Sequence, residues 1–232
     1  MSLLTLGLPS KGRLQADTIA WFTARGIEIA RSGSDREYMA TASGIEGLSV
    51  VMLSAGEIPR ELASGRIHLG VTGEDLIRER LPGEGKGAEI LARMGFGFAD
   101  LVVAVPDFWA DVQTMHDLDE AAHDFRQAHG HPLRIATKYH NLVRGFLRRQ
   151  GVADYRLVDS QGATEAAPKN LMAEAIADIT STGDTLRANH LRVLDDGLIL
   201  KSQAVLARSM EAGWSEAARE TLARLNRMLD AG

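Results

Sequence analysis

The segment of this chain best suited to chemistry is Ala175-Ile176-Ala177-Asp178-Ile179-Thr180-Ser181-Thr182-Gly183-Asp184-Thr185-Leu186. An apolar run carrying a carboxylate leads into a hydroxyl-rich glycine turn, with the spacing D-x-x-x-T-G-x-T. A carboxylate at a strand end accepts hydrogen bonds from ribose hydroxyls. Backbone N–H groups and Ser or Thr hydroxyls at the following helix start can hold a phosphate. Together these groups suit a sugar phosphate, with Asp178 on the ribose and Ser181, Thr182, Gly183, Asp184 and Thr185 around the phosphate. The plainer alternative is that Thr182 or Thr185 caps a helix beginning near Asp184. Capping does not require an acidic residue at a fixed offset after a strand, and that offset tips the reading toward phosphate.

Other polar residues stand where apolar runs end. Lys11 and Arg13 follow Leu4 to Leu8 and could contact phosphates or form a solvated turn. Thr72, Gly73 and Asp75 follow a run from Ile67 to Val71. They suit either a nucleotide contact or a helix start with Glu74 and Asp75 in its first turn. Lys138 and Asn141 follow a third run and have the same two readings. Glu165 could orient substrate or magnesium, or pair with a surface cation.

The elements that must position these residues alternate between short apolar runs and helix-period segments. Leu14, Thr18, Trp21 and Phe22 share one helical face. Tyr38 to Thr41 and Leu48 to Leu53 read as an antiparallel hairpin or meander, followed by a short helix over 57–65. The stretch 81–87, with one proline and three glycines, is a candidate mobile loop. Strands are expected near 101–105, 133–137, 155–158 and 175–179, with room for crossover helices between them, which predicts parallel sheet flanked by helices. From Met210 onward, Met210, Trp214, Ala217, Ala218, Leu222, Leu225, Met228 and Leu229 form one helical stripe that should pack on the core.

Composition bounds the function. The 232 residues are 45% hydrophobic and 25% charged, enough for a large core and one or two domains. A net charge of −5 argues against general nucleic-acid binding, which leaves a basic footprint. It does not exclude an anionic nucleotide, because exposed charges more than about 8–10 Å apart are screened and local groups decide phosphate binding. With no cysteine there is no disulfide, thiolate metal site or cysteine nucleophile, and the seven histidines lack metal-ligand spacing. No protein metal site is expected. Neither a secretory leader nor a run of about 18 apolar residues is evident, so a cytoplasmic location is expected.

Further segments form an ordered set with the glycine turn: Leu8-Pro9-Ser10-Lys11-Gly12-Arg13-Leu14, Gly56-Glu57-Ile58-Pro59, Leu69 to Asp75, Gly95-Phe96-Gly97, and Ala136-Thr137-Lys138-Tyr139-His140-Asn141-Leu142. This set resembles the ATP phosphoribosyltransferases that open histidine biosynthesis. Departures are Leu171 and His190 where that family commonly has glycine, His140 in place of a common proline, and Ser54 near a common arginine. The resemblance implies an α/β, two-lobed, periplasmic-binding-protein-like (type II) fold with a cleft between lobes. Lobe I would be 1–93 completed by 205–232, and lobe II would be 94–204 with the phosphoribosyl pyrophosphate loop.

The implied reaction moves the phosphoribosyl group of 5-phosphoribosyl 1-pyrophosphate to N1 of ATP, with substrate-bound Mg2+. Asp178 and Ser181 through Thr185 would bind the phosphoribosyl donor. Lys11, Arg13, Thr72, Gly73, Asp75, Lys138 and Asn141 would contact ATP or phosphates, with Lys11 and Glu165 as catalytic candidates. The length suits the short form, without a carboxyl-terminal regulatory domain, working in a hetero-oligomer with a histidyl-tRNA-synthetase-like subunit. The competing readings are a two-lobed binder of a small anion or nucleotide without catalysis, and a non-catalytic subunit.

Overall fold

The computed structural model of the chain describes residues 3–31, 39–81, 83, 86–160 and 162–230. Tyr38 and part of the 81–87 loop, namely Pro82, Glu84 and Gly85, lie outside the described residues. The chain forms two compact units, Met1–Gly97 with Gln203–Gly232, and Phe98–Ser202. The segment Gly95-Phe96-Gly97 groups with the first unit because Phe96 O accepts the Ala204 N–H and Gly97 lies against Leu14 and Ala204.

In chain order the first unit begins with β1 (Leu4–Pro9), α1 (Gly12–Thr23), β2 (Glu28–Arg31), β3 (Met39–Ser43), β4 (Leu48–Leu53) and α2 (Ile58–Ala63). It continues through β5 (Leu69–Gly73), α3 (Glu74–Arg80) and β6 (Ala88–Arg93). The second unit holds β7 (Ala99–Pro106), α4 (Met115–His129), β8 (Leu133–Thr137), α5 (His140–Gln150), β9 (Tyr155–Asp159), β10 (Ala175–Thr180), α6 (Asp184–Ala188) and β11 (Leu191–Ser202). The chain then returns to the first unit as β12 (Ala204–Ser209) and α7 (Glu216–Asp230).

The first unit's sheet has the order β2-β3-β4-β1-β5-β12-β6. β1 runs parallel to β4 and β5 at its centre, and these three strands are the ones whose carboxyl ends carry Lys11, Ser54 and Thr72. β1 and β5 are nearly continuous apolar runs, as strands covered on both faces must be, whereas β4 alternates buried and half-buried residues. One core lies around Leu6, Leu8, Phe22, Val50 and Leu206, closed by Ala218 and Leu225 of α7. A second, around Ile58, Leu62, Ile77 and Val205, holds α2 and α3.

The second unit's sheet has the order β11-β7-β10-β8-β9, with its core at Val102, Ala104, Ala136, Ile176, Leu186 and Leu191. β10 is parallel to β8 and antiparallel to β7. Thr114 and Asp117 form a reciprocal capping box at the start of α4, and left-handed Gly130 and Gly151 end α4 and α5.

Several expectations are corrected. Both sheets are mixed rather than parallel, because β12 and β7 each run antiparallel to the strands beside them. Among the described residues between β9 and β10, the helical structure is a 3-10 turn at Thr164–Ala166 rather than a crossover α-helix. The strand placed at Ile67–Val71 starts at Leu69 and runs through Gly73, paired with β1 and β12. Met210 and Trp214 precede α7 rather than belonging to it, and Met210 is exposed. Trp214 still packs on the core, edge-on to His68 at 5.1 Å between ring centroids. The Nδ1 of that histidine accepts the Thr5 N–H at 3.1 Å.

Candidate functional site

The glycine turn is built by the end of β10 and the start of α6. Gly183 sits at φ 76°, the left-handed region that favours glycine, and its N–H donates to Thr180 Oγ1 at 2.9 Å. Neither threonine caps α6 in the expected way, because the N-cap position is Gly183 itself. Thr182 instead donates its hydroxyl to Asp184 Oδ2 at 2.6 Å, and Arg187 reaches both Asp184 Oδ1 at 2.5 Å and Thr182 O at 3.0 Å. The Thr182 hydroxyl and the Arg187 guanidinium hold the Asp184 carboxyl below its usual range. Leu186, buried in the unit's core, pins the short helix from below.

Around this turn lies a cavity of about 260 Å³ lined by Ala99, Glu165, Asp178, Ile179, Thr180, Ser181, Thr182, Thr185 and Leu186. Asp178 Oδ1 accepts the Ile179 N–H at 2.9 Å, and Ser181 Oγ donates to Phe98 O at 3.1 Å. Glu165 arrives from the 3-10 turn, which is held by a 2.7 Å hydrogen bond between the Ser160 and Thr164 hydroxyls. The lining therefore combines two carboxylates with four hydroxyls and has no basic residue. Such a site suits a polyhydroxylated ligand whose negative charge is neutralised by an accompanying cation.

The structure thus gathers Glu165, Asp178, Ser181, Thr182 and Thr185 in one cavity, with Gly183 shaping the turn and Asp184 locking it from outside the lining. Lys138 follows β8, whose Thr137 pairs in register with Ala177, so Lys138 leaves its strand beside the position of Asp178 in β10. The Lys138 Nζ donates to Gly162 O at 2.7 Å. Asn141 is exposed on the first turn of α5, where His140 pairs with Asp159 at 2.6 Å.

The remaining candidates belong to the first unit. Lys11 is the exposed N-cap of α1, and Arg13, 92% exposed at its side chain, pairs with Asp17 at 3.5 Å. Thr72 and Gly73 lie inside β5 rather than after it. Thr72 is fully buried and donates to Ala55 O at 2.8 Å, tying the end of β5 to the turn after β4. Asp75 is buried and folds back over Gly73, where an added Cβ would come within 2.3 Å of its Oδ1. Both side chains are therefore committed to shaping the strand end.

Sequence reasoning missed Arg187, which braces the glycine turn; its i, i+3 spacing from Asp184 was the available signal. It also missed Glu74, which is 3% exposed and receives Arg93 at 2.9 and 2.8 Å and Arg78 at 2.8 Å. Burial pushes the Glu74 carboxyl up, but the hydrogen bonds from Arg93 and Arg78 outweigh it and leave the group below its usual range. Among the described residues no group of three or more His, Cys, Asp or Glu is placed to hold a metal ion, and no helix is long and apolar enough to cross a membrane.

Two α/β units, the second inserted in the first and carrying a carboxylate-and-hydroxyl cavity at a strand end, define the class as the two-lobed type II fold. The chain is similar to an ancestral arginine-binding protein bound to arginine at a TM-score of 0.53 and 10% identity, covering 100% of this chain and 92% of that one. It is more similar to the ATP phosphoribosyl transferase (HisG:HisZ) complex from Thermotoga maritima, at a TM-score of 0.71 and 22% identity over 99% of this chain and 98% of that one. The family profile HisG: ATP phosphoribosyltransferase matches residues 54–230.

The ATP phosphoribosyltransferase of Cereibacter sphaeroides is 61% identical over 215 residues, 93% of this chain and 91% of that protein. That of Bradyrhizobium diazoefficiens is 51% identical over 216 residues, of which this chain spans 66% of the length. The chain belongs to the ATP phosphoribosyltransferase family, the transferases of the first step of histidine biosynthesis. The reading as a binding protein without catalysis is set aside by that membership.

Proposed function

We propose that this chain transfers the phosphoribosyl group of 5-phosphoribosyl 1-pyrophosphate to N1 of ATP, releasing pyrophosphate, and that the cavity of the second unit binds the phosphoribosyl donor. The observation that carries the assignment of the cavity is its lining, since Glu165 joins Asp178 and the Thr180–Thr185 hydroxyls although these come from separate stretches of chain. Asp178 accepts hydrogen bonds from the ribose hydroxyls. Ser181, Thr182 and Thr185 donate to the 5-phosphate, with the backbone of Gly183 and Asp184 completing the cradle. Glu165 orients the sugar or the ion that accompanies it.

Departure of pyrophosphate leaves positive character on the sugar carbon, which the carboxylates of Asp178 and Glu165 are well chosen to tolerate. Adenine N1 carries no proton to remove, so no base is required there and positioning supplies much of the rate. Mg2+ is proposed as a companion of the pyrophosphate, where it would neutralise the leaving charge. Two carboxylates and no basic residue in the lining fit an ion that takes one or two protein ligands and satisfies the rest with phosphate oxygens and water. Lys11 and Arg13 are proposed to reach phosphates from the end of β1, and Lys138 and Asn141 from the end of β8. Thr72, Gly73 and Asp75 are proposed to shape the first unit's contribution to ATP binding through the backbone.

The partner is proposed to be a histidyl-tRNA-synthetase-like subunit, supported by the two-protein composition of the Thermotoga maritima relative. A cytoplasmic setting fits such an assembly. The test is magnesium-dependent formation of phosphoribosyl-ATP by the chain alone and with that subunit from the same source. Product in either mixture is expected, and dependence on the second protein establishes the pair. Absence of product from the folded, associated proteins would refute the transferase reading.

A further inference from the structure

Far along the sequence from the glycine turn, the first unit carries a second cavity to which the reaction gives no role. It measures about 680 Å³ and is lined by Ala24, Arg25, Gly44, Ile45, Glu46, Arg224, Arg227 and Met228. That volume lies within the usual range for small-molecule sites, roughly 300–1,000 Å³. Its lining includes three arginines and one glutamate. Arg25 follows the end of α1, Glu46 lies in the turn between β3 and β4, and Arg224 and Arg227 lie on α7.

The cavity is built rather than incidental. Gly44, at φ 90°, packs so close to the end of α1 that an added Cβ would sit 2.1 Å from Gly26 O. A Cβ on Gly47 would sit 2.6 Å from Thr221 Oγ1 of α7. Arg224 fastens the same turn to α7 by donating to Glu46 O at 3.1 Å and Thr221 Oγ1 at 2.9 Å. Arg25 is oriented by stacking on Trp21, with its guanidinium carbon 3.8 Å from the ring centroid, and by donating from Nη1 to Trp21 O at 3.1 Å. Its Nε is buried and has no hydrogen-bond partner among the described residues. A buried donor on a charged group is costly to leave unpaired, and a planar guanidinium recognises carboxylate or phosphate oxygens through paired N–H groups.

We propose that this cavity is a binding site for a small multiply charged oxyanion, held by Arg25, Arg224 and Arg227 against the apolar wall of Ala24, Ile45 and Met228. Phosphates and polycarboxylates share the chemistry required. The site is separate from the cavity that holds Asp178 and does not depend on the function assigned there.

Hydrogen–deuterium exchange of the full chain tests this, with sodium pyrophosphate and sodium citrate as the probes. Slower exchange is expected over 44–47 and 224–228 with at least one of the two, and which one acts distinguishes a phosphate site from a polycarboxylate site. Arg227→Gln, an exposed substitution that leaves the fold intact, should raise the concentration required at least tenfold, and Arg25→Lys should do the same while keeping the charge. Thr182→Val should leave this protection unchanged while weakening any pyrophosphate effect at the glycine turn. Absence of protection with both anions, or equal protection in the wild type and in Arg227→Gln, would overturn the proposal.

Discussion

Asp178 and Thr182 sit in the same small cavity but touch different groups. Asp178 leans on the next backbone amide, and Thr182 shares its hydroxyl with Asp184. If they bind the ribose and the 5-phosphate, each contributes hydrogen bonds to charged or polyhydroxylated groups, worth about 1.5–3 kcal/mol apiece. Asp178→Ala and Thr182→Val should therefore each raise the KM for 5-phosphoribosyl 1-pyrophosphate by roughly ten- to a hundredfold. The Kd for ATP should stay within about twofold; steady-state kinetics with isothermal titration separates the two, and equal losses would mark these residues as structural. Arg187→Ala tests the brace by itself. Freed from Arg187, Asp184 turns its charge toward the phosphate position, so KM for the phosphoribosyl donor should rise, and Asp184→Asn in the same chain should restore part of the loss.

At the scale of elements, two turns depart from what the residues prefer. Leu171 at φ 58° and His190 at φ 56° occupy the left-handed region, where a side chain other than glycine costs about 1–2 kcal/mol. These are the two positions at which the chain differs from a glycine expected by family resemblance, and both hold the left-handed backbone that glycine adopts without strain. Leu171 is 80% exposed, so little burial is lost on removing its side chain. Leu171→Gly should raise stability by about 0.5–1 kcal/mol after the added flexibility of glycine in the unfolded chain is subtracted. Thermal melting should show a rise of a few degrees at most, and a fall would mean that the Leu171 side chain makes contacts stronger than its strain.

At the scale of the molecule, each unit holds a buried or nearly buried carboxylate clamped by arginine. Glu74 binds Arg93 and Arg78 in the first unit; Glu174 binds Arg134 in the second, at 2.5 Å to Nη2 and 2.7 Å to the backbone amide. Burial raises the Glu174 carboxyl, but the Arg134 side chain and amide outweigh it, and both glutamates titrate below their ordinary value of 4.5. A carboxylate depressed in the folded state stabilises fully above the unfolded value. That contribution is lost as pH falls through the lower folded value. Melting temperature should therefore be steady from pH 7 to about 5 and fall below about pH 4.5. Glu74→Gln should lower stability at pH 7 by about 1–3 kcal/mol and flatten part of the acid slope. An unchanged slope in Glu74→Gln would place the acid sensitivity elsewhere.

The sequence by itself determined the strands whose apolar runs are continuous, the α/β class and the glycine turn, because these rest on local periodicity and on residues close together in the chain, while the family rested on a resemblance carried by an ordered set of short motifs. The sequence also placed the local antiparallel pair of β3 and β4, but not the pairings between strands remote in sequence. β7 and β12 enter antiparallel beside strands remote in sequence, and hydrogen-bond direction across such pairs leaves no local trace. Only the tertiary structure brought Glu165 into the cavity with Asp178, buried Thr72 and Asp75 in the first unit's sheet end, and set Arg25 beside Arg224 and Arg227. In each case what decides is the approach of polar groups that lie far apart along the chain. That approach depends on packing between elements, which no local pattern of residue types encodes.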